Sequence, residues 1–351
     1  MEPDQSAPEP TKKIHQKPWV WIAGICAAVL LIITALVVWY QFNLQPANPS
    51  SKQGIRFVVK KGEGNSQIAQ NLEKSKIIRS STAMVVYLKI ARKPASLQTG
   101  TYVISPSYSV QEVVSHLEKG NTDLFNVRIS PGRTLDEIKK DLKKYSYTSD
   151  DIDAAFNAKY DSPLLADKPA SADLEGYIYP ETFEMSASSD LKTLFQRSID
   201  TLYERLQKDG LIEKLQARGL NIYQALTLAS IVQQEASDPQ DQAQIAQVFY
   251  KRLSIGMKLE SDPTFVYAAK KLGVEPRVTI DSPYNTRKNG GLPPGPISNM
   301  NYSALQSIAY PSAGEYLYFV AGDDGKTYFS MTLQEHENNV EKHCKKLCQM
   351  F

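Results

Sequence analysis

Two kinds of apolar patterning run along this chain. The first is a single uncharged run, residues 19–40 (WVWIAGICAAVLLIITALVVWY), with no polar period. The second is a series of short stripes of three or four apolar residues at helical spacing, divided by brief strand-like runs. A bilayer takes about 20 apolar residues to cross, so residues 19–40 predict a transmembrane helix. Trp19, Trp21, Trp39 and Tyr40 stand at its ends as belt residues do, and Lys12, Lys13 and Lys17 precede it. Basic residues on that side favour an N-terminus left in the cytoplasm. The run is longer than the ~7–15-residue core of a cleaved signal peptide, and no small-x-small site closes it. Bulky Ile25 before Cys26 also speaks against a lipoprotein site. The expectation is a single-pass membrane anchor: residues 1–18 form a cytoplasmic tail, and everything after Tyr40 lies on the outer side.

Residues 41–54 (QFNLQPANPSSKQG) have the composition of a linker. Beyond them the stripes predict an α+β order. Residues 55–60 (IRFVVK) read as a strand, and the next helix carries Ile68, Ala69 and Leu72 on one face. A helix over 83–91, a strand over 101–104 and a helix opened by Ser109 and Glu112 complete a small module, residues 55–122. Ser109 and Glu112 have the spacing of a capping box, in which each side chain satisfies the other's free backbone N–H. Thr134 with Glu137 and Thr332 with Glu335 repeat the device. A strand at 124–129, a long helix at 191–207, a helix at 302–309 and a hairpin of 316–320 with 326–330 make residues 123–340 a second, mixed α/β domain. Residues 341–351 are a tail.

One stripe ends on an acid. Asn221 and Gln224 form a capping box that starts a helix near Ile222, and Ser237, Asp238 and Pro239 stop it. Leu228, Ile231 and Val232 lie seven, four and three positions before Glu235, so that carboxyl lies on the line of the apolar face. A carboxyl partly withdrawn from water resists ionising and is suited to donate a proton near neutral pH. The same residue also reads as an idle helix end, and the stretch by itself leaves both open. Downstream, Asp238 with Pro239 and Asp262 with Pro263 each read as N-cap and first helical residue. The first of these helices has Ile245, Val248, Phe249 and Leu253 as its apolar stripe. Two Pro- and Gly-rich runs, 281–287 (DSPYNTR) and 291–299 (GLPPGPISN), have the stiffness of loops that wall a groove.

Charge narrows the partners little. The net charge is +2, and Lys, Arg, Asp and Glu are interspersed with no basic block, so no nucleic-acid partner is expected. The three cysteines provide no disulfide framework. Cys344 and Cys348, with His343, have the options of a metal site or a disulfide, but CxxC-type spacing and a fourth ligand are missing. One turn of charged tail helix is the expected reading, with no metal and no cofactor.

Residues 58–72 (VVKKGEGNSQIAQNL) resemble the opening strand, turn and helix of the LysM glycan-binding module, though a generic α/β unit fits them equally. Longer motifs follow in order: LEGYIYPET at 174–182, ASIVQQE at 229–235, VFYKRLSIGMKLESDPT at 248–264, SPYNTRKNGGLPPGPISN at 282–299 and YLYFVAGDDGKTYFSMTLQEH at 316–336. In this order they resemble the membrane-anchored endolytic murein transglycosylases of the YceG-like (MltG) family over residues 55–340. The resemblance implies an enzyme that cuts the β-1,4 bond between N-acetylmuramic acid (MurNAc) and N-acetylglucosamine (GlcNAc) within peptidoglycan strands, leaving 1,6-anhydro ends. It also implies a role in ending strand elongation beside partners such as penicillin-binding proteins. The family's catalytic acid falls on Glu235. Many relatives read Glu-Lys-Glu where this chain has Gln233, Gln234 and Glu235, so one carboxylate stands alone on this helix. Further departures are Arg287 for Tyr, Met300 and Asn301 for Pro-Gly, and Thr327 for His. Tyr284, Asn285 and Thr286, together with Glu181, Ser261 and Asp262, are the candidate substrate contacts, and Tyr177 and Tyr179 the candidate stacking platforms. The rival readings are a hydrolase, with Asp262, Asp281 or Glu181 as second carboxylate, and a tethered glycan-binding scaffold without turnover.

Overall fold

The computed structural model describes residues 18–90, 97–120, 123–145, 147–346 and 348. The expected cytoplasmic tail with Lys12, Lys13 and Lys17, the side chains of Trp19 and Trp21, and Ala91 lie outside the described residues. The chain forms two compact units, Met1–Asn121 and Thr122–Phe351.

The first unit begins with α1 (Pro18–Leu44). From Ala23 to Leu44 this helix is long and apolar enough to cross a membrane, and Leu30, Leu31, Leu36 and Val38 are exposed along it. Its end is held by protein. Leu44 is buried, the Arg79 guanidinium sits 4.3 Å over the Phe42 ring, and Arg79 Nε donates to the Pro46 carbonyl at 2.8 Å. The first residues of the expected linker therefore continue the helix, and the Asn48 N–H is fixed to the Pro106 carbonyl at 2.9 Å. Strands β1 (Ile55–Val59) and β2 (Gly100–Ile104) pair antiparallel with Ile55 opposite Ile104. Helices α2 (Asn65–Lys74), α3 (Ser81–Ile90) and α4 (Val110–Lys119) cover them. The core is made by the predicted stripe residues Ile68, Ala69 and Leu72 with Phe57, Val59, Met84 and Leu117.

In the second unit β3 (Leu124–Arg128) leads through a loop to α5 (Leu135–Leu142) and α6 (Ser149–Phe156). Strand β4 (Thr182–Ser186) returns antiparallel to β3, with Leu124 opposite Ser186. There follow α7 (Leu191–Lys208), α8 (Leu211–Ala217), α9 (Ile222–Glu235), α10 (Pro239–Ser254), α11 (Asp262–Leu272) and α12 (Tyr302–Ala309). The hairpin β5 (Tyr318–Ala321) and β6 (Thr327–Ser330) and then α13 (Leu333–His343) complete it. Helix α9 is the centre of this unit, buried continuously from Ala225 to Val232. A helix apolar all round must be enclosed by other elements, and α8, α10, α11 and α12 pack around it. It starts where the Asn221–Gln224 capping box predicts and ends at Glu235, with Ala236 already extended.

Two expectations are corrected here. The N-cap of α11 is Ser261 and not Asp262, which occupies the first helical position. The two are adjacent residues of equal capping propensity, but the Ser261 hydroxyl makes no cap bond because it bonds elsewhere. The α10 stripe of Ile245, Val248, Phe249 and Leu253 faces the core, Leu253 half-buried, and Arg252 is buried beside it. Finally, α13 stops at His343, and Cys344 and Cys348 form a disulfide with Cα atoms 5.5 Å apart, in place of a further helical turn.

Candidate active site

Glu235 lies where α9 runs out, half-buried at the edge of a cleft of about 550 Å³. Burial pushes its pKa up to about 7. The Ser261 hydroxyl, donating to Oε1 at 2.5 Å, opposes that shift, Asp262 adds to it, and the cations of Arg287 and Arg252 again oppose it. With Oε1 taken by a donor, Oε2 is the oxygen left to carry a proton. The acid is thus poised between its two forms near neutral pH, as a group that must give and later accept a proton requires.

The segment opposite Glu235 is held by the loop over 281–287. Thr286 is buried: its Oγ1 accepts the Ser261 N–H at 3.1 Å and lies 2.9 Å from Thr264 Oγ1, while its carbonyl accepts the Glu260 N–H at 3.2 Å. Asn285 is wholly buried, and its amide donates to the carbonyls of Val278 and Ile280 at 2.9 and 2.8 Å. Both side chains therefore spend their polar atoms inside the protein and shape the loop; neither offers a free group to a sugar. Asp262 lines the cleft with its Oδ1 2.5 Å from Arg287 Nε.

The expected stacking platforms do not reach this cleft. Tyr177 is completely buried and stacked on Tyr223 at 6.4 Å between ring centres, while Tyr179 is buried under Arg205, whose Nη1 donates to its hydroxyl at 3.1 Å. Glu181 pairs with the same arginine at 2.9 Å. An enclosed ring has no face left for a ligand, which removes sugar stacking from Tyr177 and Tyr179 in this conformation. Tyr284 is half-buried against Tyr267, 5.0 Å between ring centres.

Several cleft residues escaped the sequence reading. Arg252 is buried, donating from Nε to the Leu317 carbonyl at 2.7 Å and from Nη1 to the Leu259 carbonyl at 2.7 Å. It stands seven positions after Ile245 and three after Phe249, so a charge on an apolar stripe was the available signal. Glu260, 3.5 Å from Arg252, adopts φ +53°, a left-handed conformation rare outside glycine, and nothing in its residue type announces this. His336, stacked on Tyr318 at 5.4 Å, also lines the cleft, and burial followed by the Arg252 charge holds its pKa below the ordinary value, favouring the neutral ring. Gln233 and Gln234 are engaged structurally: Gln233 Oε1 accepts the Asn301 N–H at 2.7 Å and Gln234 Nε2 donates to the Gly132 carbonyl at 2.8 Å.

The model of the YceG-like family matches residues 57–342. An endolytic murein transglycosylase of Bacillus subtilis is 30% identical over 89% of this chain and 91% of its own length. One from Streptococcus pneumoniae is 29% identical over 87% of this chain, which spans 61% of that longer relative. The crystal structure of a yceG-like protein from Listeria monocytogenes superposes with a TM-score of 0.56 at 30% identity, covering 82% of this chain and 99% of the other. With the family match running through both units and the Bacillus subtilis relative aligned over nearly its whole length, this chain belongs to the YceG-like family.

Proposed function

We propose that this chain is a membrane-anchored lytic transglycosylase that cuts the MurNAc-β-1,4-GlcNAc bond inside peptidoglycan strands, with Glu235 as its single acid and base. The observation that carries this reading is Glu235 itself: a carboxyl with a pKa near 7, set at a cleft and bonded by the Ser261 hydroxyl. Relatives named endolytic murein transglycosylase support the substrate class. Protonated Glu235 gives its proton to the bridging oxygen as the C1–O bond breaks, and GlcNAc leaves as the alcohol. The muramoyl 6-hydroxyl then attacks C1, and the Glu235 carboxylate takes the hydroxyl proton. The enzyme ends as it began, an anhydro ring has formed and no water is consumed. An ordinary glycosidase needs a second carboxylate for base or nucleophile. Of the three candidates for that role, Asp262 lines the cleft but is paired with Arg287, Asp281 is exposed and paired with Lys288, and Glu181 is paired with Arg205.

The apolar α1 supports a single-pass anchor, and the Cys344–Cys348 disulfide suits an oxidising compartment outside the cytoplasm. On this reading the first unit is a LysM-like module, and the cut terminates strands being made by synthases such as penicillin-binding proteins. Glu235→Gln tests the core of this reading. It should lower the cleavage rate on uncrosslinked glycan by about 10²- to 10⁴-fold, and wild-type product ends should weigh one water less than reducing ends. Full activity of the variant, or reducing ends from the wild type, would overturn the assignment. A folded wild type that binds glycan without cutting it would favour a scaffold.

A further inference from the structure

A second cleft, of about 630 Å³, adjoins that of Glu235, and Asp262 lines both. Its walls come from the loop before α5, the end of α9 and the outer face of α11. A smaller hollow of about 280 Å³ continues it along α5 and α11, sharing Tyr267 and Lys270. The three depressions therefore follow one another across the surface of the second unit. Their lining is carbohydrate-like in its demands. Pro131, Pro263 and Val266 supply apolar patches for the C–H faces of sugar rings. Gln234 supplies an amide whose NH₂ is turned to the Gly132 carbonyl, leaving its oxygen to accept an acetamide N–H. The charges at the site are paired, Lys270 with Glu137 at 3.2 Å and Arg133 with Asp141 at 3.7 Å.

We propose that this second cleft binds the N-acetylated glycan strand beyond the scissile bond, the polymer passing over Asp262 and lying along Val266, Tyr267 and Lys270. The proposal rests on the transglycosylase reading for the identity of the polymer. A cut within a strand leaves sugar units on both sides of the broken bond, and the two clefts meet at Asp262. The Arg287–Asp262 pair then sits under the strand at the point of cleavage, where one chain of sugars passes from one cleft to the other.

Val266→Trp, which fills the cleft, and Lys270→Glu, whose side chain is more than half exposed, test the site in the full-length protein in detergent. Affinity is measured in a Glu235→Gln background by fluorescence anisotropy, with labelled uncrosslinked strands both stripped of stem peptides and carrying them. Rates are measured with Glu235 intact. Either substitution should weaken binding of stripped strands by about tenfold or more and raise KM in proportion, with anhydro product ends retained and the melting temperature unchanged. Affinity and KM within twofold of the parent for both variants would overturn the proposal. So would a loss confined to stem-bearing strands, which would assign the cleft to peptide. No binding of either strand by folded protein would also overturn it. If strands bind, both variants weaken them, and intact Glu235 fails to cut, the transglycosylase reading falls while the cleft stands as a glycan site.

Discussion

At the scale of single residues, two carboxyls with raised pKa values, half-buried Glu235 and buried Glu175, divide the labour between chemistry and stability. Glu235, at about 7, must be protonated to act first, so cleavage should decline as pH rises through about 7. Ser261 holds that value down by donating to the carboxylate form. Ser261→Ala should therefore move the alkaline limb of the kcat/KM profile to higher pH, while making the carboxylate a less well-oriented base for the second step. A limb that shifted to lower pH would mean that the hydroxyl supports the protonated form. Glu175 is the second case. It is buried beneath the Leu135 N–H and the Tyr267 hydroxyl, 3.0 and 3.1 Å away, and burial raises its pKa to about 8 against the pull of Lys271. Its folded-state value lies above the ordinary 4.5, so the stability linked to it is complete below about pH 4.5 and lost as pH rises through about 8. Glu175→Gln keeps the shape without the charge. Its melting temperature should fall less steeply than that of the wild type between pH 5 and 8, and parallel curves would exclude Glu175 as the source.

At the scale of elements, the site depends on loops pinned by buried amides, and Asn299 does most of the joining. Its Nδ2 donates to the carbonyls of Ser130 and Ile178 at 3.0 and 3.1 Å, and its Oδ1 accepts the Arg133 N–H at 2.8 Å. Asn299→Ala would take the partner from three backbone groups, the Ile178 carbonyl buried and the Ser130 carbonyl and Arg133 N–H partly so. At about 1–3 kcal/mol for a buried group left unpaired, the loss should reach about 2 kcal/mol in urea unfolding. A loss below about 1 kcal/mol would mean that water replaces the amide. This division of roles explains what could be read from sequence. Caps are local, so the boxes at Ser109, Thr134, Asn221 and Thr332 are all found where spacing predicts them. The α+β order, the central α9 and its terminal acid follow from the same short-range rules. The long-range partners do not. Asn285 and Thr286 carry the side chains of sugar contacts, yet they fold inward because loop backbone groups separated from them by five to twenty-five positions need partners. Likewise Ser261 and Asp262 are interchangeable as caps until the tertiary bond to Glu235 distinguishes them.

At the scale of the whole molecule, the apolar helix α1 and the rest of the first unit share a structural boundary. Composition divides an anchor from a linker after Tyr40, but α1 runs on to Leu44, and its last turn contributes to the core of the first unit. Burying Leu44 is worth about 1.5–3 kcal/mol, and the Arg79 bond to the Pro46 carbonyl adds about 1 kcal/mol. A fragment starting at Ser51 discards both; one starting at Trp39 keeps them. In calorimetry the first unit of the shorter fragment should melt lower by roughly 10 °C or more, since about 1 kcal/mol moves a domain of this size by 4–8 °C. The second unit should melt alike in both, and so should the longer fragment carrying Leu44→Ala resemble the shorter one in its first transition. Equal melting of the two fragments would reduce residues 41–50 to a simple tether. A lower first transition would instead mean that α1 enters the first unit without a flexible joint, so that the direction of the apolar helix and the orientation of the fold that follows it are coupled.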